Sequence, residues 1–371
     1  MRDFVNLVVD LDERLDVALG SAVAEIDIGL ADRIDETTLA WIDETFGGSW
    51  SSEAHAGANV VARREGRPVG FATYDPRGLR FAWLRGLATA RDVGIFGPFG
   101  VAPEERGREI GRALLLLALA ALRARGYSRA LIPAVGDERL IRYYAEIAGA
   151  RVAERFEAAA WSKPRPRALV MASGSGTNLQ AVLDRSRDGS LPIDVVGLVA
   201  NDARAHAIER ARAVGVPAIH VLPWKRAERT RAQYDTELLE AVADVAPDLV
   251  LLLGWMHLLD EPFVRAFPHL LNVHPAFLPL DPERDDVGMP DGTRLPAFRG
   301  AHAVRDAIAA GSAWTGATLH AVTPATDRGP VLTRKPLRLL PGEDEAAALA
   351  RLHPIEHDLV AAGIRRWLYE R

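Results

Sequence analysis

The sequence contains no cysteine. Disulfide frameworks, thiolate nucleophiles and cysteine-ligated zinc are therefore excluded. Lysine is nearly absent too, at three of the 45 basic residues. Beside abundant alanine, that arginine bias fits genome composition better than a function. There is no excess of positive charge, the net charge being −5. Such a surface gives no reason to expect nucleic acid or an anionic membrane as partner. The longest apolar run, Ala113–Leu122, has ten residues, and about 20 are needed to span a bilayer. The opening MRDFVNLVVDLDER carries acids where a signal peptide carries its basic region and apolar core. A soluble cytoplasmic protein acting on small molecules is expected.

What is present is ordinary globular material, 371 residues with 49% apolar and 26% charged. That length suits two domains and two buried cores, and excludes disorder, collagen and coiled coil. The clearest boundary is Trp161–Arg167, with SKPRPR in its middle. Two prolines among basic residues suit an extended linker. Nine of the ten histidines follow it. The expected division is 1–160, a linker at 161–167, and 168–371. A Pro/Asp/Gly-rich stretch, 280–296, reads as a surface insertion in the second domain, placed where it could act as a lid.

The first half mixes element types. A helical pattern covers 31–45, and strands 59–62 and 69–74 are joined by a turn at 64–67. A strand at 95–101 leads to a helix at 111–125, stopped by Gly126. A strand at 130–134, a helix at 138–148 and a strand at 151–156 close a mixed α+β pattern. The second half alternates strictly. Strands at 168–172, 195–200, 218–221 and 249–253 enclose helices at 178–185, 205–214 and 232–245. This predicts a doubly wound, mostly parallel sheet with sites at the strand C-terminal ends. A helix at 302–310, strands at 318–322 and 330–337, and a helix from 344 to 369 follow. The fold class is α/β.

Three clusters in the second half carry chemistry. The first strand runs into Ser173-Gly174-Ser175-Gly176-Thr177-Asn178, and a helix then begins. Glycines permit close backbone approach, and free N–H groups at a helix start attract anions. The same pattern also serves as a plain strand–helix turn. It is not a dinucleotide fingerprint, because Leu179 stands where the third glycine belongs, nor a Walker A loop. Next, Asn272-Val273-His274-Pro275 ends a strand, so the amide and the imidazole point the same way. Such a pair can hold and protonate a carbonyl oxygen, though a lone histidine is as readily a satisfied core residue. Last, Thr326-Asp327-Arg328-Gly329-Pro330 offers a carboxylate. Beside His274 it would favour the imidazolium and raise its pKa.

Taken in order, SGSGTN at 173–178, Asn201-Asp202, LLLGWMHLL at 251–259, NVHPAFLP at 272–279, GAHAVRDAIAAG at 300–311, TDRGP at 326–330 and IEH at 355–357 resemble the phosphoribosylglycinamide formyltransferases. The resemblance covers residues 167–371. It implies transfer of a formyl group from 10-formyltetrahydrofolate to the amine of glycinamide ribonucleotide, without a metal. Carried over motif by motif, Asn272 holds the formyl oxygen, His274 is the general acid and Asp327 keeps it protonated. Gly174, Ser175, Gly176, Thr177 and Asn178 take the ribose-phosphate, and Glu356 takes its sugar. Arg231 contacts the folate, Met256, His257, Leu258 and Leu259 line its pterin site, and His302 and His320 back the centre. His257 stands where arginine is common, and 280–296 interrupts motifs that compact members join directly. His353-Pro354-Ile355-Glu356-His357 also spells a zinc pattern. Pro354 argues against the continuous helix that zinc would need.

In the first half, Gly100–Leu114 is a strand, a basic loop and a helix. With Trp50, the hairpin at 59–74 and Arg142-Tyr143-Tyr144, it resembles the GNAT acetyltransferases over residues 1–160. That implies acetyl-CoA held by Val101, Arg106, Gly107, Arg108, Gly111 and Arg112, with Tyr144 as general acid. The departure is Glu109, a carboxylate where the family places glycine beside the diphosphate. The alternatives are a formyltransferase for another amine such as an amino sugar, a formyl-tetrahydrofolate hydrolase, and a protein that is chiefly an acetyltransferase. The loop Gly174–Asn178 separates the first two from a nucleotide enzyme, since neither an unphosphorylated amine nor water needs it.

Overall fold

The computed structural model describes residues 3–12, 15, 26–47, 50–75, 90–157, 164–225 and 227–370. Contacts divide the chain into two compact units. One comprises Met1–Phe46, Trp50–Ser162 and Leu368–Arg371, the other Gly47–Ser49 and Lys163–Trp367. Of the linker expected at 161–167, residues 161–163 lie outside the described residues. Among the described residues no helix is long and apolar enough to cross a membrane.

The first unit contains β1 (Asp3–Asp10), β2 (Asp27–Ala31), α1 (Glu36–Thr45), α2 (Trp50–Ala56), β3 (Ala58–Arg64), β4 (Arg67–Tyr74), β5 (Val93–Val101), α3 (Ile110–Ala124), β6 (Arg129–Val135), α4 (Glu138–Ala148) and β7 (Arg151–Glu157). Its sheet runs β2-β3-β4-β5-β6-β1-β7. The helix expected over 31–45 starts five residues late. Asp35 accepts the Thr38 N–H at 2.8 Å and caps α1, while Asp27–Ala31 pairs with β3. Strand β1 is not among the strands expected from the sequence, and it lies between β6 and β7. Its Asn6 is satisfied inside the sheet, accepting from Ala134 N–H at 3.0 Å and donating to Glu154 at 3.2 Å. Leu114, Leu115, Leu119 and Leu122 bury one face of α3 among Val60, Ala62, Ala72 and Phe96.

The second unit contains β8 (Arg167–Ala172), α5 (Thr177–Arg187), β9 (Asp194–Ala200), α6 (His206–Ala213), β10 (Ala218–Val221), α7 (Arg231–Val245), β11 (Leu249–Leu252), α8 (Glu261–Ala266), β12 (Leu270–His274), β13 (Asp286–Gly288), β14 (Arg294–Pro296), α9 (Ala303–Ala309), β15 (Trp314–Ala321), β16 (Val331–Arg338) and α10 (Glu345–Glu370). The sheet order is β10-β9-β8-β11-β12-β15-β16. Strands β8 to β12 pair in parallel, and β15 and β16 add antiparallel. Strand order reverses between β8 and β11, and a crevice opens there at the strand C-terminal ends. The insertion 280–296 contains the β13–β14 hairpin, which buries Val287 and Met289. Helix α10 matches the helix expected from 344 to 369 and runs straight through Pro354, because burial of Leu352, Leu359, Val360 and Ile364 outweighs one lost hydrogen bond.

Candidate active site

A cavity of about 770 Å³ lies over the crevice and is lined from the ends of β8, β11 and β12, from 300–304, from 322–327 and from α10. That volume is within the usual range for small-molecule sites. Its floor carries Asn272 and His274, two residues apart on β12 and so on one face. Register puts Asn272 opposite His320 of β15, and Asn272 Nδ2 lies 3.2 Å from His320 Nε2. His320 Nδ1 is 2.8 Å from the Ala321 carbonyl. A carbonyl only accepts, so Nδ1 carries the hydrogen and Nε2 accepts from the amide.

Asp327 joins both histidines. Its Oδ2 is 3.6 Å from His274 Nδ1 and its Oδ1 is 3.5 Å from His320 Nε2. These are electrostatic pairings, too long for direct hydrogen bonds. The Gly300 N–H donates to Asp327 Oδ2 at 2.7 Å. Burial pushes the Asp327 carboxyl up, but His320, the His274 charge and the Gly300 N–H together hold it well below the usual carboxylate range. The turn delivering it is tight. Asp327 has φ 52°, in the left-handed region, and a Cβ at Gly329 would fall 1.7 Å from the Ala321 carbonyl oxygen.

His274 behaves differently from the sequence expectation. Burial draws its pKa below the ordinary value, and this outweighs the upward pull of Asp327. Asp327 therefore does raise the pKa, but from a lowered base. His274 Nε2 donates to the Phe298 carbonyl at 2.8 Å. A proton taken up by the ring must then go to Nδ1, between the ring and Asp327. Asn272, His274 and Asp327 thus converge. His302 lines the cavity but is exposed at the start of α9, making no side-chain cap bond.

The glycine loop forms the opposite wall. Gly176 caps α5 at φ 68°, and a Cβ there would lie 2.8 Å from Ala207 Cα and Cβ. Arg210 reaches from α6 to the Ser175 carbonyl at 2.9 Å. Asn178 is buried and donates to Glu356 Oε2 at 2.8 Å, so two expected substrate residues meet. The Asn178 side-chain oxygen Oδ1 has no hydrogen-bond partner. Burial pushes Glu356 up, against the pull of Asn178 and His353. The β11 end supplies an apolar lip on which Met256 and Leu258 are exposed. His257 lies behind it at 3.3 Å from the Tyr234 hydroxyl, its pKa lowered by burial and then by Arg231. Arg231 does not line the cavity. It pairs with Asp235 at 2.8 Å and holds the Leu258 carbonyl.

Three features were missed or misjudged in the sequence. The Phe298 carbonyl and the Gly300 N–H are backbone groups without a side-chain signal. Ser173 Oγ accepts the Met256 N–H at 3.1 Å, a tie between the glycine loop and the β11 end that no motif signals. None of 280–296 lines the cavity. The zinc pattern does lie on one continuous helix, but among the described residues no three histidine, aspartate or glutamate side chains are grouped to hold a metal.

In the first unit β5 and β6 pair only from Val93 to Ile95 and then diverge, with Val101 ending the far strand. Every arginine of the loop has a partner. Arg106 Nε reaches the Val101 carbonyl at 3.3 Å, Arg108 pairs with Glu105 at 3.5 Å and Arg112 with Glu109 at 3.8 Å. Gly107 and Glu109 both have positive φ, 77° and 60°, and the Glu109 carboxylate is turned outward, 58% exposed. Tyr144 is buried against Phe96 and Phe99, and burial pushes its pKa up. The phenol nearer Gly111 is that of Tyr143, which a Cβ at Gly111 would meet at 3.2 Å. Burial raises Tyr143 to about 12.

Known families match the two halves of the chain separately. The model of the formyl transferase family matches residues 166–280 and 292–364, and that of the acetyltransferase (GNAT) family matches 30–150. The phosphoribosylglycinamide formyltransferase of Mycobacterium tuberculosis is 36% identical over 200 residues, 53% of this chain and 83% of that protein. Its Escherichia coli counterpart is 34% identical over 190 residues, 51% of this chain and 81% of that protein. The trifunctional purine biosynthetic protein adenosine-3 of Drosophila pseudoobscura pseudoobscura is 33% identical over 199 residues, 53% of this chain but only 13% of that longer protein. The solved glycinamide ribonucleotide transformylase 1 of Symbiobacterium toebii is 35% identical, covers 54% of this chain and 86% of its own, and has a TM-score of 0.47.

Proposed function

The chain belongs to the formyl transferase family, and from that premise we propose that residues 168–371 move the formyl group of 10-formyltetrahydrofolate to the amine of glycinamide ribonucleotide, a step of cytoplasmic purine synthesis. The observation that carries this reading is one cavity with Asn272, His274 and Asp327 on its floor and an anion-competent glycine loop on its wall. An unphosphorylated acceptor would have no use for that loop.

The folate supplies the formyl carbon. Its flat ring suits the apolar lip at Met256 and Leu258, with Arg231 bracing the segment from behind. The residues of the chain do the rest. Asn272 Nδ2 gives one hydrogen to His320 and keeps one for the formyl oxygen. The nucleotide amine attacks the formyl carbon, His274 delivers its Nδ1 proton as charge develops on the formyl oxygen, and ionised Asp327 stabilises the imidazolium that carries it. Collapse returns that proton to His274 and breaks the bond to the folate nitrogen, which leaves carrying the proton given up by the amine. A donor aimed at such an oxygen is worth about 2.7–4 kcal/mol. The N–H groups of Gly174–Asn178 hold the phosphate, and the Asn178–Glu356 pair faces the sugar. His302 and His320 keep the floor polar.

For residues 1–160 we propose an acyl-CoA-type domain of low affinity, joined through 161–167. The diverging strands and the start of α3 suit acetyl-CoA, but Glu105 and Glu109 beside Arg108 and Arg112 offset part of the positive charge a diphosphate would meet. The test of the main reading is folate turnover by the purified full chain with and without glycinamide ribonucleotide. Turnover should require the nucleotide. Equal turnover without it indicates a hydrolase, and the proposal fails.

A further inference from the structure

The insertion 280–296 is the part of the second unit least explained by the reaction. The family model skips 281–291, and the hairpin takes no part in the cavity wall. Its first turn nonetheless holds two arginines that frame the catalytic floor. Arg299 donates from Nη2 to the Arg284 carbonyl at 2.7 Å and from Nη1 to Asp285 Oδ1 at 3.1 Å. Its Nε reaches the Asp327 carbonyl at 3.3 Å. Arg328 donates to the Pro282 carbonyl at 2.9 Å and also pairs with Asp285 Oδ1. One carboxylate, Asp285, therefore ties together both cations.

These arginines neighbour the site in sequence as well as in space. Phe298, just before Arg299, accepts from His274. Gly300, just after it, donates to Asp327. Arg328 follows Asp327 directly. Asp327 sits at φ 52°, a left-handed conformation that aspartate adopts more readily than most residues, though still at some cost. The clasp braces the Asp327 backbone through Arg299 Nε, and Arg299 is its centre, with only 15% of its side chain exposed.

We propose that the inserted hairpin is a clasp for the general-acid machinery, in which Asp285, Arg299 and Arg328 act as positioning residues that fix Asp327 and the Phe298–Gly300 backbone around His274. The inference deepens the formyl-transfer reading and rests on it for its kinetic consequence. The charged groups facing His274 are Asp327 from the 322–330 loop, His320 from β15 and Arg299 from the segment after the hairpin. Removing the Asp285 charge leaves the two arginines without their shared counter-ion. The Arg299 charge then bears more strongly on His274 and disfavours its protonated form.

The experiment uses the full chain, in the wild type and in Asp285→Asn, Arg299→Met and Arg299→Lys. Ring-nitrogen NMR follows the titration of His274 without substrates, and steady-state kinetics follow formyl transfer. For Asp285→Asn the His274 midpoint should fall by about half a pH unit. The alkaline limb of kcat should move down with it. For Arg299→Met, kcat should fall about fivefold with both KM values within about twofold, and Arg299→Lys should recover part of the loss. A His274 midpoint and an alkaline limb that stay in place in Asp285→Asn overturn the proposal, as does a loss confined to KM. Should Arg299→Met fail to fold, the exposed Asp285→Asn exchange still decides it. A wild type that transfers no formyl group sinks the functional reading alone, because the substrate-free titration tests the clasp by itself.

Discussion

Gly176 is where a single methyl group should separate the architecture of the site from its chemistry. The backbone there has φ 68°, and an added Cβ would sit 2.8 Å from both Ala207 Cα and Ala207 Cβ. Ordinary carbon contacts are about 3.5–4.0 Å, so α6 or the loop must shift by roughly 1 Å. The left-handed conformation costs an L-residue about 1–2 kcal/mol, and overpacking about 1–3 kcal/mol more. Gly176→Ala should therefore destabilise the second unit by about 2–5 kcal/mol. For a unit of this size that lowers its thermal midpoint by roughly 5–15 °C. Part of the strain relaxes by moving the loop N–H groups, so the KM for glycinamide ribonucleotide should rise about tenfold and that for the folate should hardly change. Gly174 supplies the control, since a Cβ there meets nothing within 4 Å. Gly174→Ala should leave the thermal midpoint unchanged. Calorimetric melting and steady-state kinetics on both variants check this. A Gly176→Ala protein that melts like the wild type, or loses folate and nucleotide affinity equally, would refute the reasoning.

Asp327→Asn removes the upward pull on His274, so the proton leaves that ring at lower pH. The alkaline limb of kcat should move down and kcat at neutral pH should drop about a hundredfold, which a pH series of initial rates measures. Glu356 has a raised pKa, so its cost to the fold appears as pH climbs above the ordinary carboxylate value. Glu356→Gln should accordingly be more stable than the wild type at neutral pH and equal to it in acid, while its KM for the nucleotide rises; denaturant melts at two pH values test the sign. Acetyl-CoA should bind the first unit only weakly. Because the Glu109 carboxylate is exposed and paired with Arg112, Glu109→Gly should tighten binding only about fivefold; micromolar wild-type binding that glycine leaves unimproved contradicts this.

The parts of the site legible in the sequence were those written in side chains at short range. SGSGTN announces a strand–loop–helix anion cradle, and Asn272 and His274 share a face because a strand repeats every two residues. The meeting of Asp327 with His274 was a reasonable expectation but not a derivable one. It depends on the β12–β15 register, the left-handed turn at Asp327 and the close approach of Gly329 to Ala321. The pKa of His274 was misjudged because a nearby carboxylate can be inferred from a motif whereas burial cannot. The backbone groups of Phe298 and Gly300 have no letter in the sequence. In the fold, β1 escaped notice because Asn6 interrupts its apolar run, and that amide is satisfied only by Ala134 and Glu154, far along the chain. The helix over 344–369 is legible despite Pro354, because the burial that α10 gains along its length exceeds the local penalty of one proline.

The central claim is tested most directly by following the formyl carbon. The full chain is given 10-formyltetrahydrofolate labelled with ¹³C in the formyl group, together with glycinamide ribonucleotide, and the products are read by NMR. The label should appear on the glycyl amine nitrogen of the nucleotide, in step with release of tetrahydrofolate, and Asn272→Ala should slow its arrival about a hundredfold or more. Label recovered as free formate at the same rate with or without the nucleotide, or transferred equally well to an unphosphorylated amine, would contradict the account.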